Sequence, residues 1–402
     1  METAEEFDVF QKNLGFKSDF YGSNQRSLFD LRSFNNAFSV VSSLPDYSET
    51  PLIEMSGMAK TLGIATLHCK YEGERFGGAS FKSLGLSNAI ISSVALIISQ
   101  SLNFNVDVVD LINGKFKDKT KSLTFSAATS GNHGYALAWI SRQLGAKAKI
   151  YVPFDISKNR ISRILSLGAE VIVVEGNFDD AVEACNVQSL AHGDVVISNV
   201  VQQGFQDVPK QIMNGYGIIA KEISTQLTGI TPSHIFVGGG GGRLAASIAA
   251  FYSIEPRFGS PKIVVVEPEK SDCIFQSLRN RDLSVSSSNG GSIMTGLVVN
   301  KPSPIAWEIL EHNAFASIRI SDITALEVLT AINKGLYGDP AIAVGETGIA
   351  AMAGLVLAAR STLMRNELGI DDESNIVAVA CEGVIDQDLL DFLLAEPKIA
   401  SE

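Results

Sequence analysis

The chain has 402 residues, of which 46% are hydrophobic and 19% charged, enough apolar material for two or three domains or one large enzyme core. Its formal net charge of −12 argues against a nucleic-acid-binding protein and against attachment to an anionic membrane surface, because both need clustered Lys and Arg. Neither a nucleic acid nor a membrane is therefore expected among its partners.

The N-terminal stretch METAEEFDVF is acidic and has no basic region followed by an apolar core, so no secretory signal is predicted. The longest apolar run, AIISSVALIIS at 89–99, contains serines and is too short to cross a membrane. The four cysteines form no CxxC pair, which suits a reducing compartment and predicts neither a disulfide framework nor a zinc site. We expect a cytoplasmic protein without a metal site.

Short β-branched runs alternate with Ala- and Leu-rich amphipathic stretches, which predicts an α/β fold of buried parallel strands separated by helices. Residues 1–50 are expected to wrap the core, and the Ser/Gly-rich residues 284–292 are expected to form a flexible loop. The strands are predicted at AKIYVP (148–153), AEVIVVEG (169–176), GDVVISNV (193–200), SHIFVGGG (233–240), KIVVVEPE (262–269) and SNIVAVACEG (374–383).

The first segment of chemical interest is FGGASFKSLG at 76–85, where Lys82 follows Phe81 among small residues. By itself this segment favours a surface lysine at the start of an amphipathic helix, because ordering and burying an ammonium group are both costly. The motifs further along the chain change that interpretation.

The second segment is FSAATSGNHGYALAW at 125–139, where a strand is predicted to end near Ala128 and a helix to begin at about Tyr135. The turn between them, TSGNHG, consists of residues typical of turns and helix caps. It would also expose backbone N–H groups and hydroxyls that suit a carboxylate. His133 alone fits a structural or a functional role equally well.

The third segment is HIFVGGGGGRLAASIAA at 234–250, in which a strand runs through five glycines into a helix. Glycine allows a ligand to approach the backbone closely, and the helix start presents N–H groups to an anion. This pattern predicts a binding site for a phosphate or another anion.

A dinucleotide-dependent oxidoreductase is an alternative. Gly240, Gly242 and Ala245 fit G-x-G-x-x-A, and Glu267 at the end of the next strand could hold a ribose hydroxyl. No Gly-Lys-Ser/Thr sequence follows the glycines, so a P-loop ATPase is set aside.

In their order and spacing, the three segments resemble the fold type II pyridoxal-phosphate (PLP) enzymes, the family of threonine dehydratase and the tryptophan synthase β-chain. A closer resemblance, over about residues 50 to 390, is to the diaminopropionate ammonia-lyases. It rests on RFGGASFK (75–82), TSGNHG (129–134), GFQDVPKQIMNGY (204–216), VVEPEKSDCIFQS (265–277), IMTGL (293–297), PIAWEIL (304–310) and GETGIAAMAGL (345–355).

The resemblance implies two doubly wound α/β domains with the cofactor in the cleft between them, and a homodimer. Residues 1–84 and 205–402 would form a large domain that binds the cofactor phosphate. Residues 85–204 would form a small domain that closes over the substrate.

The resemblance also implies roles in binding PLP. Lys82 would bond to the cofactor aldehyde, with small neighbours leaving room for the ring and Phe81 lining the substrate side. Asn132 would hydrogen-bond the ring's 3′ oxygen, and Cys381 would stand beside the pyridine nitrogen as a weak hydrogen-bonding partner. The 5′-phosphate would be held by Gly239, Gly240, Gly241 and Gly242.

The chemistry implied is α,β-elimination from a small β-substituted L-amino acid, with Lys82 as the base, giving a 2-oxo acid and ammonia. Ser130, Gly131 and His133 would face the substrate carboxylate, and Asn199 would also lie near the substrate. The alternatives within this family are a dehydratase acting on a hydroxy amino acid and a PLP-binding homologue with little catalysis.

Two positions depart from the pattern of the diaminopropionate ammonia-lyases. Their turn typically contains an aspartate where this chain has Ser130, and a second aspartate is replaced by Asn199. The countercharge for a distal ammonium group is therefore missing. The resemblance implies that the first aspartate is the base for the D-isomer, so with Lys82 as the remaining base a preference for L-substrates is expected. In addition, Val299 replaces a cysteine, which leaves Cys273 without an obvious disulfide partner.

Overall fold

The structure, a computed structural model, describes residues 8–18, 20–129, 131–197, 207–288 and 290–395. The strands are β1 (Phe10–Lys12), β2 (Leu52–Glu54), β3 (Thr66–Tyr71), β4 (Thr124–Ala128), β5 (Lys147–Pro153), β6 (Glu170–Val174), β7 (Val195–Val196), β8 (His234–Gly238), β9 (Lys262–Pro268), β10 (Ala314–Ile320) and β11 (Asn375–Ala380).

The α-helices lie between these strands in the alternating order that the sequence predicts. They are α1 (Ser23–Leu28), α2 (Leu31–Ser42), α3 (Ser56–Leu62), α4 (Lys82–Leu102), α5 (Val108–Ile112), α6 (Lys117–Thr120), α7 (Asn132–Leu144), α8 (Lys158–Leu165), α9 (Phe178–His192), α10 (Val208–Gln226), α11 (Arg243–Ile254), α12 (Cys273–Asn280), α13 (Pro304–Asn313), α14 (Asp322–Asn333), α15 (Ala350–Arg360), α16 (Thr362–Leu368) and α17 (Gln387–Ala395).

The chain divides into two compact units. Unit 1 comprises residues 1–31, 49–74 and 219–402, and unit 2 comprises residues 32–48 and 75–218. These boundaries differ from the predicted domain boundaries, because all of α4 and the first part of α10 belong to unit 2. The roles predicted for the two domains remain predictions.

Unit 1 is built on a seven-stranded sheet with the order β1-β10-β9-β8-β11-β3-β2. The five inner strands are parallel, and the edge strands β1 and β2 are antiparallel to their neighbours. Strands β8, β9 and β11 are almost entirely buried, as expected for β-branched strands covered on both faces. Helix α15 packs so closely on β9 that a Cβ at Gly354 would lie 2.4 Å from Val266 Cγ2.

Unit 2 is built on a four-stranded parallel sheet with the order β6-β5-β4-β7. All six strands predicted in the sequence analysis are therefore present in the two sheets, as β5 to β9 and β11. Helix α7 begins at Asn132, three residues earlier than predicted, so Asn132 and His133 already lie in its first turn.

The longest apolar segment belongs to helix α4, which is longer than the predicted apolar run. It extends over 21 residues, from Lys82 to Leu102, and by length and composition alone it could cross a membrane. Most of it is buried within the protein, as in the core helix of a soluble protein. Its small residues allow close packing on α10, since a Cβ at Gly85 would lie 2.8 Å from the carbonyl oxygen of Ile212.

Residues 284–292, of which Asn289 is outside the described part, lie in no helix or strand. The carboxylate of Asp272 accepts hydrogen bonds from the backbone N–H (2.7 Å) and the hydroxyl (3.0 Å) of Ser287. The same carboxylate pairs with Arg319 at 3.0 Å, so this loop is attached to β10 through a buried acid.

Candidate active site

In unit 1 the five glycines form a tight loop at the carboxyl end of β8. The N–H of Gly239 donates to the carbonyl oxygen of Val266 (2.8 Å), and the N–H of Gly242 donates to that of Gly239 (2.9 Å). Gly240 and Gly242 have φ angles of 52° and 83°, which side-chain-bearing residues rarely adopt. The loop then enters α11 with Gly242 as its N-cap residue.

The loop's carbonyl oxygens are occupied, whereas two of its N–H groups are available. Gly240 O accepts a hydrogen bond from the thiol of Cys273 (3.4 Å), and Gly241 O accepts one from the N–H of Ser303 (2.9 Å). The N–H groups of Gly240 and Gly241 donate to no acceptor within the part of the chain that the structure describes. Unmatched N–H groups at a helix N-terminus suit an anion with several oxygen atoms.

The side of the loop at Gly241 has room for a ligand. A Cβ placed on Gly241 would have no neighbour closer than 3.9 Å, so the position opens outward. At Gly239, by contrast, a Cβ would lie 2.6 Å from Glu267 Cγ, and at Gly242 it would lie 2.9 Å from Leu310 Cδ1. Packing and backbone geometry therefore require these two glycines, whereas Gly241 leaves its open side for a bound group.

Cys381 follows β11, the neighbour of β8 in the sheet. The parallel register pairs Val379 with Val237, so Cys381 lies at the same edge of the sheet as the glycine loop. Its buried thiol donates a weak hydrogen bond to the carbonyl oxygen of Thr347 (3.9 Å). The structure thus places the predicted phosphate-binding glycines and the predicted ring-nitrogen partner on adjacent strand ends within unit 1.

The contacts of Glu267 argue against the dinucleotide-dependent alternative, in which this residue would hold a ribose hydroxyl. Its carboxylate accepts hydrogen bonds from the N–H groups of Ile274 (2.8 Å) and Phe275 (2.7 Å) in the first turn of α12. The hydroxyl of Ser317 donates a third, at 2.9 Å. Glu267 is fully buried, and burial raises its pKa to about 8. It supports the fold beneath the glycine loop, and its oxygens are not available to a ribose.

In unit 2, Lys82 is the first residue of α4 and is half-buried. Its ammonium group lies 4.9 Å from the ring centroid of Phe81, at the distance of a cation–π contact. The Phe81 ring packs in turn against Tyr216 of α10, with centroids 4.7 Å apart. Lys82 is thus half-buried at the start of a buried helix. It is not the exposed surface lysine that its own segment favoured.

The turn after β4 is organised by Thr129. Its hydroxyl oxygen accepts hydrogen bonds from the N–H groups of Gly131 (3.0 Å) and Gly134 (3.3 Å). Asn132 begins α7, and His133 Nε2 lies 3.1 Å from the carbonyl oxygen of Ile197, which follows β7. Asn132 and His133 therefore lie at the positive end of a helix, an arrangement that suits a carboxylate.

Two predicted substrate residues, Ser130 and Asn199, lie outside the described residues. Their predicted roles remain predictions from the sequence.

Arg160 was not selected by the sequence analysis. It lies in the first turn of α8, and a Cβ on Gly131 would be 3.7 Å from its guanidinium Nη1. A cation therefore stands beside the turn that is predicted to face the substrate. Nothing in the local sequence identifies it, because Arg160 and Gly131 meet only through the packing of α8 against α7.

Comparison with known proteins identifies relatives over most of the chain. A family model described as "Pyridoxal-phosphate dependent enzyme" matches residues 44–382. Diaminopropionate ammonia-lyase of Escherichia coli (strain K12) is 30% identical over 375 residues, covering 91% of this chain and 92% of that protein.

Solved structures of the Escherichia coli diaminopropionate ammonia-lyase are also similar. The complex with an aminoacrylate–PLP azomethine reaction intermediate has a TM-score of 0.82 and 28% identity, with 96% of each chain covered. The complex with D-serine has a TM-score of 0.83 and 27% identity, with 97% of each chain covered.

Proposed function

This chain belongs to the pyridoxal-phosphate-dependent enzymes, in the family of the diaminopropionate ammonia-lyases, and on that premise we propose that it eliminates the β-substituent of a small L-amino acid. The products are a 2-oxo acid and ammonia. The observation that carries the proposal is the likeness to diaminopropionate ammonia-lyase along 91% of the chain. The substrate proposed first is L-2,3-diaminopropionate, which with one water gives pyruvate and two molecules of ammonia.

The residues of this chain fit the cofactor. The N–H groups of Gly240 and Gly241, which have no acceptor among the described residues, and the N-terminus of α11 would hold the phosphate. The thiol of Cys381 would stand at the ring nitrogen, and Asn132 at the ring oxygen. A thiol is a weak partner, so it would leave the ring nitrogen largely unprotonated, which suits elimination.

Lys82 is proposed as the base of the reaction. Bound PLP supplies an electron sink for the charge that develops when Cα loses its proton. The amine of Lys82 would take that proton at Nζ, and Phe81 beneath it would exclude water from one side. The turn at Gly131 and His133 would orient the substrate carboxylate.

A hydroxy amino acid is the second candidate substrate, and Arg160 is the observation that favours it. The guanidinium beside Gly131 would repel the distal ammonium group of diaminopropionate. Ser130 and Asn199 would supply no carboxylate to offset that repulsion. A substrate with a neutral β-hydroxyl, such as serine or threonine, would lose its substituent as water and yield one ammonia.

We further propose that the protein is a cytoplasmic homodimer, that unit 1 binds the cofactor phosphate and that unit 2 contacts the substrate. The resemblance to the PLP enzymes supports the dimer, and the four buried, free cysteines suit the reducing environment of the cytoplasm. Light scattering during size-exclusion chromatography measures the oligomeric state.

The test is a screen of L-2,3-diaminopropionate, L-serine and L-threonine for release of 2-oxo acid and ammonia. Two ammonia per 2-oxo acid identify the diamino substrate, and one identifies the hydroxy substrates. Replacing Arg160 with Gln is expected to raise kcat/KM for diaminopropionate several-fold relative to serine. Lys158→Gln, which removes an exposed charge from the same helix, is the control. Full cofactor loading without 2-oxo acid from any β-substituted amino acid would refute the proposal.

A further inference from the structure

The backbone just before Lys82 has an unusual conformation. Phe76, Gly77 and Ala79 have φ angles of 49°, 64° and 55°. Phe76 and Ala79 carry side chains, and residues with side chains rarely adopt this region of φ. A conformation of this kind persists only where neighbouring groups hold it, so the neighbours of this segment are informative.

The first set of neighbours comes from α7. The hydroxyl of Tyr135 donates a hydrogen bond to the carbonyl oxygen of Gly77 at 3.3 Å. The Phe76 ring stacks on Trp139, one turn further along α7, with centroids 4.6 Å apart. A Cβ on Gly78 would lie only 2.8 Å from Tyr135 Cε1, so glycine is required for the segment to approach this helix.

The second neighbour comes from α8. Arg163 Nη2 donates a hydrogen bond to the carbonyl oxygen of Gly78 at 3.1 Å. Its guanidinium also lies over the ring of Tyr135, 4.8 Å from the centroid. One arginine therefore holds both the segment and the tyrosine that contacts it, through a planar guanidinium whose fixed fork of donors a lysine ammonium does not offer.

These contacts join the two predicted parts of the site in unit 2. Helix α7 begins with Asn132, in the turn proposed to face the substrate, and its next residues hold the segment that leads to Lys82. Accepting the proposed function, we propose that Arg163 and Tyr135 are positioning residues that set the direction of the Lys82 amine relative to that turn. They touch neither substrate nor cofactor in this proposal.

The effect on kcat and KM depends on the step in which the Lys82 amine acts, which is proton removal. Proton removal depends steeply on the direction and distance of the base. Cofactor phosphate binding is proposed to rest on the glycine loop of unit 1, and substrate binding on the turn at Gly131. Loosening residues 76–79 should therefore lower kcat much more than it changes KM or the amount of bound cofactor.

The experiment compares Arg163→Met, Arg163→Lys and Tyr135→Phe with the control Lys158→Met, which removes an exposed charge from α8. We expect Arg163→Met to lower kcat about tenfold or more, with KM within about twofold and PLP content unchanged. The pH at which the absorbance of Lys82-bound cofactor changes should also shift, because the surroundings of its nitrogen change. Arg163→Lys should restore part of kcat, and Lys158→Met should behave like the unmodified protein.

An unchanged kcat and absorbance transition in Arg163→Met would overturn the inference, and so would an equal loss in Lys158→Met. A kcat that falls only in proportion to the folded fraction, measured by thermal unfolding, would likewise show a merely structural role. Should Arg163→Met fail to fold, Tyr135→Phe removes a single hydrogen bond and gives the same comparison. Should no substrate turn over, the proposed function fails, and the absorbance transition still decides the positioning inference.

Discussion

The ammonium group of Lys70 lies 2.7 Å from the carboxylate of Glu222, and both side chains are completely buried in unit 1. Lys70 also donates to the carbonyl oxygen of Thr50 (2.7 Å) and to the side-chain oxygen of Gln226 (2.9 Å). The pair thus joins β3 to the last part of α10 with its hydrogen-bonding groups occupied. Removing one partner would leave the other charge buried without its countercharge.

We expect Glu222→Gln to lower the free energy of unfolding by about 3–5 kcal/mol. The double replacement of Lys70 by Met and Glu222 by Leu should recover most of this loss, because no charge then remains buried. Denaturant unfolding measures both. The control is Glu367→Gln, which breaks the exposed 2.8 Å pair with Lys12 and should cost at most about 1 kcal/mol. An equal effect for the buried and the exposed pair would contradict this account.

The covalent attachment of the cofactor is tested at Lys82. The purified protein should be yellow and lose its colour on borohydride reduction, and peptide mapping should find a pyridoxyl group on Lys82. Lys82→Ala should still bind PLP weakly through the glycine loop but show no turnover. A colourless protein that takes up no PLP would remove the basis of the proposed function.

The phosphate site is tested most sharply at Gly241. Because the position opens outward and its φ angle is not positive, Gly241→Ala should fold normally and still obstruct a bound phosphate. We expect the Kd for PLP to rise about tenfold or more in titrations of cofactor-stripped protein. Gly291→Ala, where a Cβ would have no neighbour within 4 Å, should leave the Kd unchanged. An unchanged Kd for PLP in Gly241→Ala would show that the phosphate binds at another place.

The buried His234 predicts a loss of stability at acid pH. Its Nε2 lies 3.0 Å from the carbonyl oxygen of Leu368, and burial lowers its pKa from 6.5 to about 4. Between these two values the unfolded chain binds the proton and the folded chain does not, so stability falls as the pH decreases through this range. The free energy of unfolding falls by about 3 kcal/mol over this pH range because of His234.

His234→Gln keeps a donor for Leu368 and does not titrate. Unfolding measured from pH 7.5 down to pH 4 should therefore show a steeper loss in the unmodified protein than in the variant. Parallel curves for the two proteins would assign the acid sensitivity to other groups.

The stereochemical preference is predicted from the sequence. With Lys82 as the base and Ser130 in place of the family's aspartate, kcat/KM for L-2,3-diaminopropionate should greatly exceed that for the D-isomer. Ser130→Asp should gain some activity toward the D-isomer, a gain limited by Asn199. Comparable values for the two isomers of the unmodified chain would show that another group supplies a second base.

The elements that carry the candidate site were predictable because their signals are local. Strand β8, the five glycines and the start of α11 follow one another within 234–250, and each is encoded by neighbouring residues. The turn at 129–134 and the helix start at Lys82 are equally local, although the boundary of α7 was placed three residues late. Polar turn residues conceal where a helix begins, because the same residues serve as caps and as first-turn residues.

The sequence by itself determined the α/β class, the buried strands and, through the order of its motifs, the family of the chain. Only the tertiary structure decided that Glu267 caps α12, that Arg163 holds Gly78 and that Lys70 meets Glu222. The partners in each pair lie on different elements, and their contact depends on how strands register and helices pack. Local residue patterns determine backbone conformation and burial, but the identity of a distant partner is set by packing across the whole unit.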